Sequence, residues 1–136
     1  HTLIAEMVTA VPDIHCLRDP TRGGLATTLN ELALQSQVGI NLHEDAVPVN
    51  PAVAAACELL GLDPLYVANE GKLVCICPAE KADELLEVMR SHPQGRDAAI
   101  VGEVVDDAHG FVKMETRFGG SRMVDWLAGE QLPRIC

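Results

Sequence analysis

Apolar side chains recur at Leu3, Ile4, Met7, Val8 and Val11 and stop before Pro12, a three-and-four spacing that predicts a first amphipathic helix. The short run Ile14-His15-Cys16-Leu17 leads into the polar, glycine-rich stretch from Arg18 to Gly24, after which Leu25, Leu29, Leu32 and Ala33 mark a second helix. Val38, Ile40 and Leu42 alternate with polar or small residues, as in a half-buried strand ending near His43. Asn50-Pro51 opens a third helix, which runs through Val53, Ala54, Cys57 and Leu60 to a left-handed glycine stop at Gly61. The polar turn Ala68-Asn69-Glu70-Gly71 then feeds the apolar run from Lys72 to Cys77, whose uninterrupted character predicts a central strand covered on both faces. A fourth helix begins at Pro78-Ala79-Glu80 with Ala82, Leu85, Leu86 and Met89 inward. Ile100 to Val105 and Phe111 to Thr116 read as the two strands of a hairpin turned by Asp106-Asp107-Ala108-His109-Gly110, and Val124 to Ala128 as one last helical turn. Helices interleaved with strands predict an α+β fold, a layered α/β sandwich in which helices flank a mixed sheet.

Length and composition narrow this further. With 136 residues, 48% of them hydrophobic, the chain suits one domain, expected over residues 1–126 and followed by a tail, residues 127–136, without amphipathic pattern. The formal charge of −10, from 20 acidic and 10 basic residues, would repel phosphate backbones and anionic membranes, so nucleic acid is not an expected partner. No apolar stretch has the length of a membrane span and the opening residues lack the features of a secretory signal, so a cytoplasmic, soluble protein is expected. The chain opens on His1 and almost at once on a helix, which suggests a piece of a longer protein. Five cysteines without C-x-x-C pairs, and five scattered histidines, indicate neither a disulfide framework nor a metal site. Cys75 and Cys77, two apart in the apolar strand, should share one face as core thiols or, less simply, as a metal-binding pair.

Four segments carry more chemistry than a scaffold needs. In Arg18-Asp19-Pro20-Thr21-Arg22-Gly23-Gly24, two glycines allow close backbone approach and a helix start offers free N–H groups. The segment serves either as a helix cap or as a phosphate cradle, with Asp19 a lone carboxylate that could help hold magnesium. Glu70, in Asn69-Glu70-Gly71-Lys72, stands at the mouth of the apolar strand, where adjoining buried surface would lift its carboxyl toward a base; the alternative is a solvated turn. Arg117-Phe118-Gly119-Gly120-Ser121-Arg122 is a basic, glycine-rich loop, a hinge or an anion contact. Finally the chain ends on Cys136, ten residues past Trp126, so an extended tail would carry its thiol roughly 33 Å at about 3.3 Å per residue. Arg134 favours the thiolate there and the terminal carboxylate opposes it; the cysteine is either a carrier or an accident of where the chain stops.

Three stretches, Leu17 to Glu31, Ala68 to Lys72 and Pro133-Arg134-Ile135-Cys136, together resemble the C-terminal domain of the HypE family of hydrogenase maturation factors. The first two are similar to the wider superfamily of aminoimidazole ribonucleotide synthetase and selenophosphate synthetase, and the terminal tetrapeptide points to HypE. The resemblance runs over essentially the whole chain and about the last two fifths of the family's length, so an N-terminal ATP-binding, dimer-forming domain has no counterpart here. It implies an ATP-dependent carbamoyl dehydratase whose own Cys136 is the carrier. The carbamoyltransferase HypF loads that thiol, dehydration yields a thiocyanate with Glu70 as base, and the cyano group passes through a HypC–HypD complex to the iron of a [NiFe] hydrogenase. Arg18, Asp19, Thr21, Gly23 and Gly24 would contribute to ATP and magnesium binding, chiefly the work of the other domain, and this fragment alone would be inactive. Two alternatives stand beside it: another ATP-using member of the superfamily with Cys136 incidental, and a non-enzymatic docking module for maturation partners.

Overall fold

The structure, a computed structural model, describes residues 1–126; the expected tail, Cys136 included, lies outside the described residues. In chain order the elements are α1 (Thr2–Ala10), β1 (Cys16–Arg18), α2 (Gly24–Ser36), β2 (Gly39–His43) and α3 (Pro51–Leu60). They continue with β3 (Val74–Ile76), α4 (Ala82–Ser91), β4 (Gly102–Val105), β5 (Val112–Glu115) and β6 (Ser121–Met123). The chain forms two compact units: His1–Arg18 with Leu73–Ile100, and Asp19–Lys72 with the chain from Val101 onward.

The first unit packs α1 and α4 around Met7, Val11 and Leu85, all buried. The helical spacing read from the sequence is the cause, since Leu3, Ile4 and Met89 close around those three. Val8, which shares the spacing, faces out. α4 carries Asp83 and Glu84 in its first turn and Arg90 in its last, each placed to complement the helix dipole. β1 and β3 form a two-stranded antiparallel ribbon with Leu17 opposite Cys75 and Arg18 opposite Val74. β3 is therefore not the central, doubly covered strand its apolar run suggested. Leu73, Cys75 and Cys77 turn to the helical cluster, while Val74 and Ile76, which complete the apolar run on the opposite face, are only half-buried.

The second unit holds a mixed four-stranded sheet in the order β4-β2-β5-β6, with β2 parallel to β5 and the other neighbours antiparallel. Ile40 pairs with Val112 and Leu42 with Met114, and all four are buried. α2 packs on β2 and β5 and buries Ala26, Leu29 and Ala33. The expected hairpin of β4 and β5 does not form, because β2 lies between them. The five-residue turn permits a hairpin, but β2 buries both apolar residues of its inner face only when it has a strand on each side. β6 was not foreseen. Instead of the expected last helical turn, Val124 to Trp126 have no regular structure, and Leu127 and Ala128 lie outside the described residues.

α3 begins and ends as its sequence dictates. The Asn50 side chain accepts from the Ala52 N–H at 2.9 Å, Pro51 takes the first position, and Gly61 closes the helix at φ 67°. Its burial departs from expectation: only Cys57 is buried, while Val53 and Leu60 are exposed and Leu59 is 86% exposed. An alanine-rich helix is apolar all round, so its composition does not say which side finds a partner.

Two measurements follow from this packing. Leu42→Ala should cost about 2–5 kcal/mol in urea unfolding, whereas Leu59→Ser should stay within about 0.5 kcal/mol. Burial, aided by the neighbouring Cys77 and Cys16, pushes the Cys75 thiol from 9.0 up to about 11. At pH 8 only about one Cys75 in a thousand is then thiolate, so its alkylation, followed by peptide mass spectrometry, should be slow and rise roughly tenfold per pH unit until near pH 11. The same upward shift means the folded state holds its proton longer than the unfolded chain, so the first unit loses stability as pH rises from about 9 to 11.

Candidate functional site

The glycine-rich loop, from Asp19 on, belongs to the second unit and opens α2. Gly23 caps the helix in a left-handed conformation, φ 67°, and Gly24 follows at φ 63°. No side chain caps the helix and no acidic residue occupies its first turn. The first-turn amides and the positive end of the dipole thus have no acidic side chain of their own helix to answer them. Thr27 Oγ1 is buried there without a hydrogen-bond partner, and a Cβ on Gly23 would collide with it. A Cβ on Gly24 would lie 2.5 Å from the Leu65 carbonyl oxygen and 2.6 Å from that of Val67. Glycine is required at 24 by both conformation and space.

The second motif meets the first here. The Asn69 N–H donates to the carbonyls of both Pro20 and Thr21, at 3.3 Å each, and Gly71 turns the chain at φ 72°. This bond joins the Ala68-Asn69-Glu70-Gly71 turn to the loop 45 to 50 residues upstream. Asp19, Thr21, Gly23, Gly24 and Glu70 consequently belong to one local frame. Glu70 is exposed rather than set against buried surface. Arg18 ends β1 in the first unit, and Cys136 lies outside the described residues.

The basic loop proves to be a tight turn. The Gly119 N–H donates to the Thr116 carbonyl at 2.9 Å, and Arg117 Nε lies 3.5 Å from Asp45 and 3.8 Å from Glu44. Arg122 reaches Asp63 at 2.6 Å. Both guanidiniums face carboxylates rather than an open anion site. Among the described residues no group of three or more His, Cys, Asp or Glu side chains is placed to hold a metal ion.

Three residues around the site escaped sequence reasoning. Thr27 looked like any helical threonine. Asn30, buried on α2, donates through Nδ2 to the Ala26 carbonyl at 2.9 Å and the Val124 carbonyl at 2.7 Å. Its signal was an amide side chain beside the apolar stripe. Tyr66, the chain's one tyrosine, donates its hydroxyl to the Asp125 carbonyl at 3.0 Å. Burial raises this hydroxyl above its usual 10.0; Arg122 pulls it down while Asp63 and Asp125 push it up, so the donor keeps its proton.

The sequence matches the family described as AIR synthase related protein, C-terminal domain, over residues 1–115. It is 73% identical over 136 residues to the carbamoyl dehydratase HypE of Azotobacter vinelandii, covering 100% of this chain and 40% of that protein. Among solved structures it is similar to hydrogenase maturation protein HypE in complex with ATP, with TM-score 0.91 and 53% identity over 99% of this chain and 42% of the other. It is also similar to a chain of a HypE–HypF complex, with TM-score 0.86 and 44% identity over 92% of this chain and 40% of the other. The chain thus spans about two fifths of the length of the relatives it matches.

Gly24→Ala and Gly61→Ala separate conformation from crowding. Both positions have left-handed φ, but a Cβ on Gly61 meets nothing within 4 Å. Gly61→Ala should cost about 1–2 kcal/mol of strain, and Gly24→Ala clearly more, as measured by chemical denaturation.

Proposed function

The chain belongs to the AIR synthase related protein family, whose C-terminal domain it matches, and we propose that it is the C-terminal part of a HypE-type carbamoyl dehydratase with Cys136 as the carrier thiol. What carries this reading is the 73% identity, over all 136 residues, to a protein of that name. The similar HypE bound to ATP supports nucleotide use, and the similar chain complexed with HypF supports HypF as the partner that loads the thiol.

The local chemistry fits a phosphate. The first-turn amides of α2, which opens on Gly23-Gly24 and is uncapped by any side chain, would supply hydrogen-bond donors to it. Thr21 and Asp19 belong to the same loop, Asp19 as a carboxylate for a nucleotide-associated magnesium ion. ATP, held chiefly by the domain outside this chain, supplies the phosphoryl group that turns the carbamoyl oxygen into a good leaving group. Cys136 sulfur keeps the carbon throughout, and Glu70 accepts protons from the carbamoyl nitrogen. Loss of two N–H protons and of the oxygen, which leaves with phosphate, converts S–C(=O)–NH2 into S–C≡N. Sulfur suits the handle because a thiolate both takes up the carbamoyl carbon and departs when the cyano group moves on.

The whole protein would act as a homodimer in the cytoplasm and hand the cyano group to HypC–HypD for the iron of a [NiFe] hydrogenase. This chain by itself would not turn over. No helix among the described residues is long and apolar enough to cross a membrane. The test incubates the full-length protein with ATP, carbamoyl phosphate and HypF, and examines the last peptide by mass spectrometry. A cyano adduct on Cys136, lost in Cys136→Ser, is expected; a tail that stays unmodified would overturn the assignment.

A further inference from the structure

The chain leaving β6 is held at its first residues by side chains from two other elements of the second unit. The Val124 N–H donates to the Val112 carbonyl at 2.8 Å. Asn30 donates to the Val124 carbonyl at 2.7 Å, and Tyr66 donates to the Asp125 carbonyl at 3.0 Å. Behind them Arg122 binds Asp63 at 2.6 Å, and the other oxygen of Asp63 accepts the Leu65 N–H at 3.0 Å, which fixes the turn that bears Tyr66.

A buried amide is a costly way to fill a helix face, since an apolar side chain of similar size carries no desolvation penalty. Asn30 is 6% exposed. Its bond to the Ala26 carbonyl, one turn back, is local and satisfies only one of two N–H groups. The second reaches a backbone carbonyl 94 residues away. Both elements doing the holding also bear the candidate site: α2 starts at Gly24, and the carbonyls of Leu65 and Val67, on either side of Tyr66, abut that glycine. Asn30 follows Gly24 by six residues, about 9 Å along the helix.

We propose that Asn30 and Tyr66 are positioning residues that pin the root of the Cys136 tail to the frame of the glycine loop. This rests on the preceding reading of Cys136 as the carrier. The eleven residue steps from Asp125 to Cys136 span at most about 36–40 Å, several times the roughly 9 Å that separate Asn30 from Gly24 along the helix, so the thiol is able to reach the helix start at an effective concentration set by a short tether. Even freed as far back as Gly120, which requires β6 to leave β5 as well, the tether grows to sixteen steps, and its effective concentration falls by no more than about twofold by the −3/2 power of length.

The experiment uses the full-length protein with Tyr66→Phe, Asn30→Leu, which keeps the volume and removes both donors, and the double variant. Hydrogen exchange in the peptide containing Val124 should accelerate about three- to tenfold per lost bond, while peptides of α2 keep their protection. The single-turnover rate of Cys136 dehydration at saturating ATP should fall by up to about twofold, with the KM for ATP and the melting temperature of Tyr66→Phe unchanged. Exchange and rate both unaltered in the double variant would overturn the proposal. So would a loss of protection spread over α2 with a matching loss of ATP affinity, which marks a structural role. If wild-type Cys136 is never modified, the carrier reading fails by itself, and the exchange result still decides whether Asn30 and Tyr66 hold the segment.

Discussion

Helix α2 can lie against the turn at Leu65–Val67 only because residue 24 has no side chain, and much of the second unit is arranged around that contact. With its first residue against two carbonyl oxygens and its apolar face on β2 and β5, the helix has little freedom to slide or roll. Three consequences follow from that one placement. Its uncapped N-terminus is presented beside the Asn69 turn, Thr27 is left with a buried, unpaired hydroxyl, and Asn30 is aimed at the segment that leaves β6.

The electrostatics of this arrangement are local. A chain with a formal charge of −10 is a poor general attractor of phosphate, and Arg117 and Arg122 are engaged by carboxylates. What the start of α2 has in place of side-chain charge is oriented backbone dipoles, whose field acts over a few ångströms and is nearly independent of net charge. A short-range field of this kind selects for geometry and adds little long-range pull.

Several elements misled the sequence reading, each for a nonlocal reason. The apolar run at β3 looked central, yet its only strand partner among the described residues is β1. Strands β4 and β5 looked like a hairpin until β2 came between them, a choice made by burial of Ile40 and Leu42. The apolar positions of α3 looked inward, and all but Cys57 are exposed. Glu70 stood beside apolar sequence but not beside apolar surface. Asn30 and Tyr66 reach Val124 and Asp125, dozens of residues away, so no short window along the chain contains both partners.

Where interactions close within a turn or two of the backbone, the sequence was decisive: the α1 and α4 stripes, the Asn50 cap and the Gly61 stop all arise from neighbours two to five residues apart. These are short-range rules of sterics and hydrogen bonding, and they hold whatever the rest of the chain does. Strand order, the exposed side of α3, the joining of the glycine loop to the Asn69 turn and the holding of Val124–Asp125 were settled only by tertiary structure. Each depends on which distant surfaces are buried together, a comparison among whole packings that local pattern does not encode.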